Sequence, residues 1–190
     1  MGLFNRNKPR DTSALHAALT RRTFEDFQKV YDPAWVDFEF EHDTLLSLAL
    51  TNDDSPSRVA IANRLLDDGA DVRGAMPLHR FLARNEHDFV AEAPLLKRLL
   101  DAGANVNEVH SKVGTPLETL AAKFKFSDVT LTPFYDVLLA RPDLDLLQTG
   151  LDGRTVLTNL RKWSAKRGEL VIRAEQTLTD RRTTVPPPAQ

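Results

Sequence analysis

Leu65-Leu66-Asp67-Asp68-Gly69-Ala70-Asp71-Val72-Arg73 returns thirty-four residues later as Leu99-Leu100-Asp101-Ala102-Gly103-Ala104-Asn105-Val106-Asn107. In each copy a double leucine closes an apolar stripe of helical period, and a glycine follows where a left-handed backbone ends a helix. Only glycine takes that conformation without strain, so Gly69 and Gly103 mark two helix ends. Between the copies stands Met76-Pro77-Leu78-His79, a helix start in which proline has its φ preset and no donor to waste. The stretch therefore reads as the end of one helical hairpin, a short extended tip, and the next hairpin complete.

Aligning the chain on that start yields five modules, beginning at Ser13-Ala14-Leu15-His16, Thr44-Leu45-Leu46-Ser47, Met76-Pro77-Leu78-His79, Thr115-Pro116-Leu117-Glu118 and Thr155-Val156-Leu157-Thr158. The offsets are 31, 32, 39 and 40 residues. Ser or Thr at four of the starts caps the first helix by accepting from an orphan backbone N–H. Small and apolar residues follow at helical spacing, as in Ala17, Ala18 and Leu19 or Leu48, Ala49 and Leu50. The second helices carry Ile61, Leu65 and Leu66, then Leu95, Leu96, Leu99 and Leu100, then Phe134, Val137, Leu138 and Leu139, which the stripe assigns to the core. In the fourth module Leu138-Leu139-Ala140-Arg141-Pro142 stops with proline in place of glycine.

Double leucine, glycine, extended tip and Pro-Leu-His start together resemble the ankyrin repeat, whose modules run about 33 residues. The resemblance implies an all-α fold, a solenoid of stacked helix-turn-helix units with short extended tips. It predicts a flexible tail at 1–11, a single repeat domain at 12–182, and a disordered proline-rich tail at 183–190. Extra residues at 84–94 and 122–133 are expected to bulge as insertion loops between the two helices of modules three and four. The fifth module, with Arg161-Lys162-Trp163-Ser164-Ala165-Lys166-Arg167 and a polar last helix, suits a terminal cap. In the first module Val36, Phe38 and Phe40 alternate with Asp37, Glu39 and Glu41, the period of an extended tip with one buried face.

Composition narrows the function. The formal charge is −2 over 190 residues, so no global basic field attracts nucleic acid. Charge is nevertheless uneven: residues 32–54 hold seven acids and no Lys or Arg, whereas residues 154–182 hold eight basic residues against three acids. There is no cysteine, hence no disulfide framework, no thiolate nucleophile and no Cys-based zinc site. No apolar run approaches the ~18 residues of a membrane span, and no signal-peptide segment opens the chain. Met1-Gly2 is not a myristoylation start, because Arg6 stands where that motif wants Ser or Thr. A cytoplasmic protein, monomeric when free and with no membrane partner, is the expectation.

Chemistry finds little purchase. Ligand-type residues occur at His42-Asp43, Glu86-His87-Asp88 and His110 without a ligand spacing such as His-Glu-x-x-His, so metal, cofactor and catalytic roles are assigned to none. His16 and His79 fall at the repeat's own histidine position, where the side chain serves backbone groups. Gly69 with Gly74 and Gly103 with Gly114 match no phosphate-binding loop. Trp163 among Arg161, Lys162, Lys166 and Arg167 could be an RNA patch, but a solvated cap helix with one anchoring tryptophan is the plainer reading.

A function in protein binding follows from the resemblance: a rigid stack presents tips and first helices along one concave side. The candidates are Asp37, Glu39, Glu41 and His42 on the first tip, Arg73 on the second, and Glu108, His110 and Lys112 on the third. Asp152 and Arg154 fall on the fourth, and Arg80 and Arg84 on a first helix. A compact inhibitor or immunity-type protein is one narrower expectation, motivated by the acidic, aromatic first tip. A passive scaffold or assembly subunit is the other.

Overall fold

The computed structural model describes residue 9 and residues 11–184. Of the predicted tails, residues 1–8, 10 and 185–190 lie outside that range. Asp11 caps the first helix, and the last helix runs on to Thr184. Among the described residues there are ten α-helices and one two-stranded sheet, so the fold is essentially all-helical, as expected. Two compact units divide after Ala104.

The first unit holds three helix pairs: α1 (Thr12–Arg21) with α2 (Phe24–Val30), α3 (Leu45–Ala49) with α4 (Ser55–Asp67), and α5 (Pro77–Leu82) with α6 (Phe89–Asp101). The first helices pack in series, α1 on α3 on α5, and so do the second helices, α2 on α4 on α6. Leu15, Leu19, Leu46, Leu50, Ile61, Leu65, Leu78, Leu96 and Leu99 are buried between them. Each such side chain contributes about 1.5–3 kcal/mol on full burial. Leu66 stays half-exposed. The second unit repeats the two-row arrangement with α7 (Pro116–Ala121), α8 (Asp128–Leu139), α9 (Val156–Lys162) and α10 (Ser164–Thr184): α7 packs on α9, α8 on α10.

Helix starts are capped as the sequence predicts at Thr44, Thr115 and Thr155, each accepting from a backbone N–H three residues on. At the first module the cap is Asp11 and not Ser13. Met76 has no side-chain cap bond and sits at φ +51°. Gly69 and Gly103 adopt φ +95° and +104°, and the following N–H groups of Ala70 and Ala104 return to Leu65 and Leu99 carbonyls. That pairing closes the helix ends as a left-handed cap should.

Two expectations change. The residues predicted as insertion loops are helical from Phe89 and from Asp128, so the loops shrink and the second helices lengthen. Pro94 and Pro133 each sit at the sixth helical position. Each proline leaves one carbonyl unbonded, that of Val90 or Val129, and both of these residues are largely exposed to water that can serve it. The first tip is not extended throughout: residues 33–35 form a 3-10 turn, started by Pro33 and capped by the Asp32 carboxylate accepting from Ala34 N–H.

Candidate interaction surface

The first tip is built from its own local chemistry. After the 3-10 turn the chain folds into a minimal hairpin, β1 (Glu39–Phe40) antiparallel to β2 (Asp43–Thr44), pairing Glu39 with Thr44 and Phe40 with Asp43. Glu41 takes the left-handed φ of +55° that so tight a turn demands. Phe38 and Phe40 meet edge to face at 5.0 Å, and His16 from α1 meets Phe40 at 5.4 Å. The rings, Thr12 and Leu48 line a cleft of about 420 Å³ that Glu39, Glu41 and Asp43 border. Alternation holds in exposure: Asp37, Glu39 and Glu41 face solvent while Val36, Phe38 and Phe40 are half-buried.

Electrostatics sort these acids. Asp43 is ion-paired with Arg80, whose Nε also donates to Ala75 O, so the hairpin base is tied to α5. Asp37, Glu39 and Glu41 make no ion pair among the described residues, and His42 is exposed beside them. An aromatic floor with unpaired carboxylates around it is chemistry suited to a cationic side chain, which the ring faces and the carboxylates both attract.

Most of the candidate cations are already engaged. Arg73 is bound within its own turn to Asp71, at 2.9 Å from Nε, and this contact holds the Asp71 carboxyl below the usual carboxylate range. Arg84 pairs with Asp53, and Arg154 approaches Asp152 at 3.4 Å. On the third tip His110 Nδ1 accepts from Lys112 N–H at 3.1 Å, and a bridge from His110 to Gly114 closes the turn. Glu108 is half-buried and Lys112 exposed there, as are Asp152 and Arg154 on the fourth tip. Of the candidates, Glu39 and Glu41 meet at the first-tip cleft, Asp37 and His42 are exposed next to them in the chain, and Arg80 braces the base of the hairpin through Asp43.

The residues read as a possible metal cluster have other duties. Asp88 caps α6 by accepting from Ala91 N–H. His87 turns inward, and its Nδ1 lies 2.6 Å from Glu92 Oε2. Arg58 donates from Nε to the other oxygen of that carboxylate at 2.6 Å and from Nη2 to Glu86 O at 2.8 Å. All three side chains are buried. Among the described residues no group of three or more metal-ligating side chains converges. His79 is buried, whereas His16 is exposed against Phe40, so the two equivalent histidines serve different ends.

Sequence reasoning missed Arg58 and Glu92, although a signal was present. They stand 34 residues apart, the same offset as Leu65 to Leu99, so opposite charges occupy one repeat position on an otherwise apolar stripe.

No helix among the described residues is long and apolar enough to cross a membrane. No family model matches the chain. No curated protein matches it either. Among solved structures the chain is similar to a functionally unknown protein from Leptotrichia buccalis C-1013-b, with a TM-score of 0.67 at 19% identity. The match covers 89% of this chain and 94% of that one. At such identity the likeness shows the fold alone.

Proposed function

We propose that this chain is a protein-binding module made of ankyrin-like helix hairpins, and that its first tip holds the basic surface of a partner as a compact inhibitor or immunity-type protein would. The observation that carries the proposal is the cleft beneath the first hairpin, where His16, Phe38 and Phe40 form a ring-lined floor and Glu39 and Glu41 stand unpaired among the described residues. The ankyrin-like reading is supported by the serial packing within each unit and by the glycine-terminated second helices. A lysine or arginine entering such a cleft gains about 0.5–1 kcal/mol from a ring face at an exposed site. The neighbouring carboxylates add attraction that steers encounter more than it deepens affinity.

The test is affinity purification of the full chain from its native host beside the variant Asp37→Lys/Glu39→Lys/Glu41→Lys. One dominant partner, whose own activity the added chain suppresses and which the variant and ~0.5 M salt both release, is the expected result. Retention of that partner by the variant would overturn the role of the tip. Several weakly held clients with unaltered activity would replace inhibition by the alternative, a passive scaffold.

A further inference from the structure

The second unit carries a surface of the opposite chemistry. The connection from α7 to α8 reads Lys123-Phe124-Lys125-Phe126, and Phe124 is 49% exposed, an unusual position for a phenyl ring with a core nearby. The ring is fixed in place. Trp163, at the turn between α9 and α10, meets it edge to face at 6.0 Å, and the guanidinium of Arg167 lies 5.3 Å from its centroid.

Arg167 explains why the loop keeps this shape. It is 1% exposed, and donates from Nε to Ala121 O at 2.7 Å, from Nη2 to Lys123 O at 2.7 Å and from Nη1 to Phe126 O at 3.0 Å. One carbonyl at the end of α7 and two of the loop are held by one planar donor group. The outer side is cationic. Lys162 and Lys166, next to Trp163 in the turn, are exposed and make no ion pair among the described residues. Of the nearby acids, Asp128 accepts from Tyr135 and from Glu169 N–H and Glu175 is bound to Arg161, while the Glu169 carboxylate is exposed to solvent.

An aromatic pair held in place by Arg167, with two exposed and unpaired lysines adjoining Trp163 in the chain, has the composition of a binding centre with a charged rim. We infer that this patch docks an acidic peptide segment of a protein partner, its carboxylates on the lysines and an apolar side chain against Phe124 and Trp163. Nucleic acid fits less well. Stacked bases need open ring faces, whereas Arg167 covers one face of Phe124 and Trp163 abuts it edge to face. The formal charge of −2 also supplies no long-range pull on a polyanion. This inference uses none of the first-tip residues and stands independently of the function proposed above.

The test uses the full chain with Trp35→Phe, which leaves Trp163 as the sole tryptophan. The probes are a synthetic peptide with a central phenylalanine flanked by glutamates, its lysine counterpart, and a short oligouridine. The expected result is a saturable change in Trp163 emission with the glutamate peptide. That affinity should fall about tenfold or more in Lys162→Glu/Lys166→Glu and at ~0.5 M salt. It should also fall when the peptide's phenylalanine becomes alanine, and persist in Asp37→Lys/Glu39→Lys/Glu41→Lys. Both lysines are exposed, so the charge-reversed chain should keep its circular dichroism and the comparison its meaning. No binding, equal binding of glutamate and lysine peptides, or affinity unchanged by the double reversal would overturn the inference. Tighter binding of oligouridine would replace it with a nucleic-acid site.

Discussion

The side-chain amide of Asn159 donates to the carboxylate of Glu118 at 2.6 Å, and both residues are buried. The same carboxylate accepts from Thr115 N–H at 2.8 Å and from Leu151 N–H at 3.1 Å. A capping box that starts α7 thus also fastens the following tip and α9. Glu118→Ala leaves three donors without this acceptor, two of them in buried residues, so it is expected to cost about 2–4 kcal/mol, more than an ordinary cap loss. Urea denaturation of the variant should show the midpoint falling with the slope preserved.

The packing around that carboxylate supplies a second test. A Cβ added at Gly150 would lie 2.7 Å from Glu118 Cδ, and the carboxylate could yield only by giving up its hydrogen bonds to Thr115, Leu151 and Asn159. Gly153 has φ +70° but nothing within 4 Å of an added Cβ. Gly150→Ala is therefore expected to destabilise by more than Gly153→Ala, whose strain is limited to about 1–2 kcal/mol of left-handed backbone. Thermal melts of the two variants decide it, and the reverse order would mean that Glu118 can swing aside.

In the first unit Arg58 and Glu92 form a buried ion pair, His87 contacts the same carboxylate, and Arg58 also satisfies the Asn52 and Glu86 carbonyls. Removing one partner strands a buried charge, and the expected loss for Glu92→Leu or Arg58→Met is about 3–5 kcal/mol each. Joint replacement removes both charges. The double variant should lose clearly less than the sum of the single ones, though not nothing, because the two carbonyls lose their donor. A double-mutant cycle by chemical denaturation measures the coupling.

What could be seen in the sequence was whatever is local or periodic. Leu65, Leu99 and Leu138 repeat on a helical period, Gly69 and Gly103 close helices by their own backbone freedom, and Thr115-Pro116-Leu117-Glu118 announces its cap within four residues. What escaped depends on partners brought together by folding. Arg181 closes the carbonyls of Arg141 and Leu144 where the fourth module has no glycine, forty residues away in one case. Arg80 and Arg84, read as surface binders, are engaged by Asp43 and Asp53. Pro94 and Pro133 read as loop residues, since the exposed carbonyl that makes each tolerable inside a helix leaves no trace in the sequence. At the candidate site the acids of the first tip were legible from alternation, but His16, which completes its ring-lined floor, was not.

The equal-length copies at Gly69 and Gly103 allow a comparison of pure backbone strain. Neither glycine has a heavy atom within 4 Å of an added Cβ, so space is not limiting at either place. Gly69→Ala and Gly103→Ala should each cost about 1–2 kcal/mol, and the two values should agree closely. β-Branched residues should cost more. A much larger loss at one position, measured by thermal melts, would show a packing demand that the open surroundings of the glycine do not suggest.

Asp54 provides a pH-dependent test. It caps α4, accepting from Ser57 N–H at 3.0 Å, and hydrogen bonds from the Ser57 side chain and backbone hold its carboxyl below the usual range. The folded state therefore favours the ionised form, and the sign follows: the contribution is complete above the ordinary carboxyl range near ~4. It is lost as pH falls through the lower folded value, because the unfolded chain takes up the proton first. Asp54→Asn keeps a capping oxygen that does not titrate, so its stability should change less than wild type's as pH falls from ~5 to ~2. Asp54→Ala should instead lose about 1 kcal/mol already at neutral pH. Melting temperatures across that pH range check both, and an Asp54→Asn curve parallel to wild type would show that this carboxylate does not contribute to the acid sensitivity of the fold.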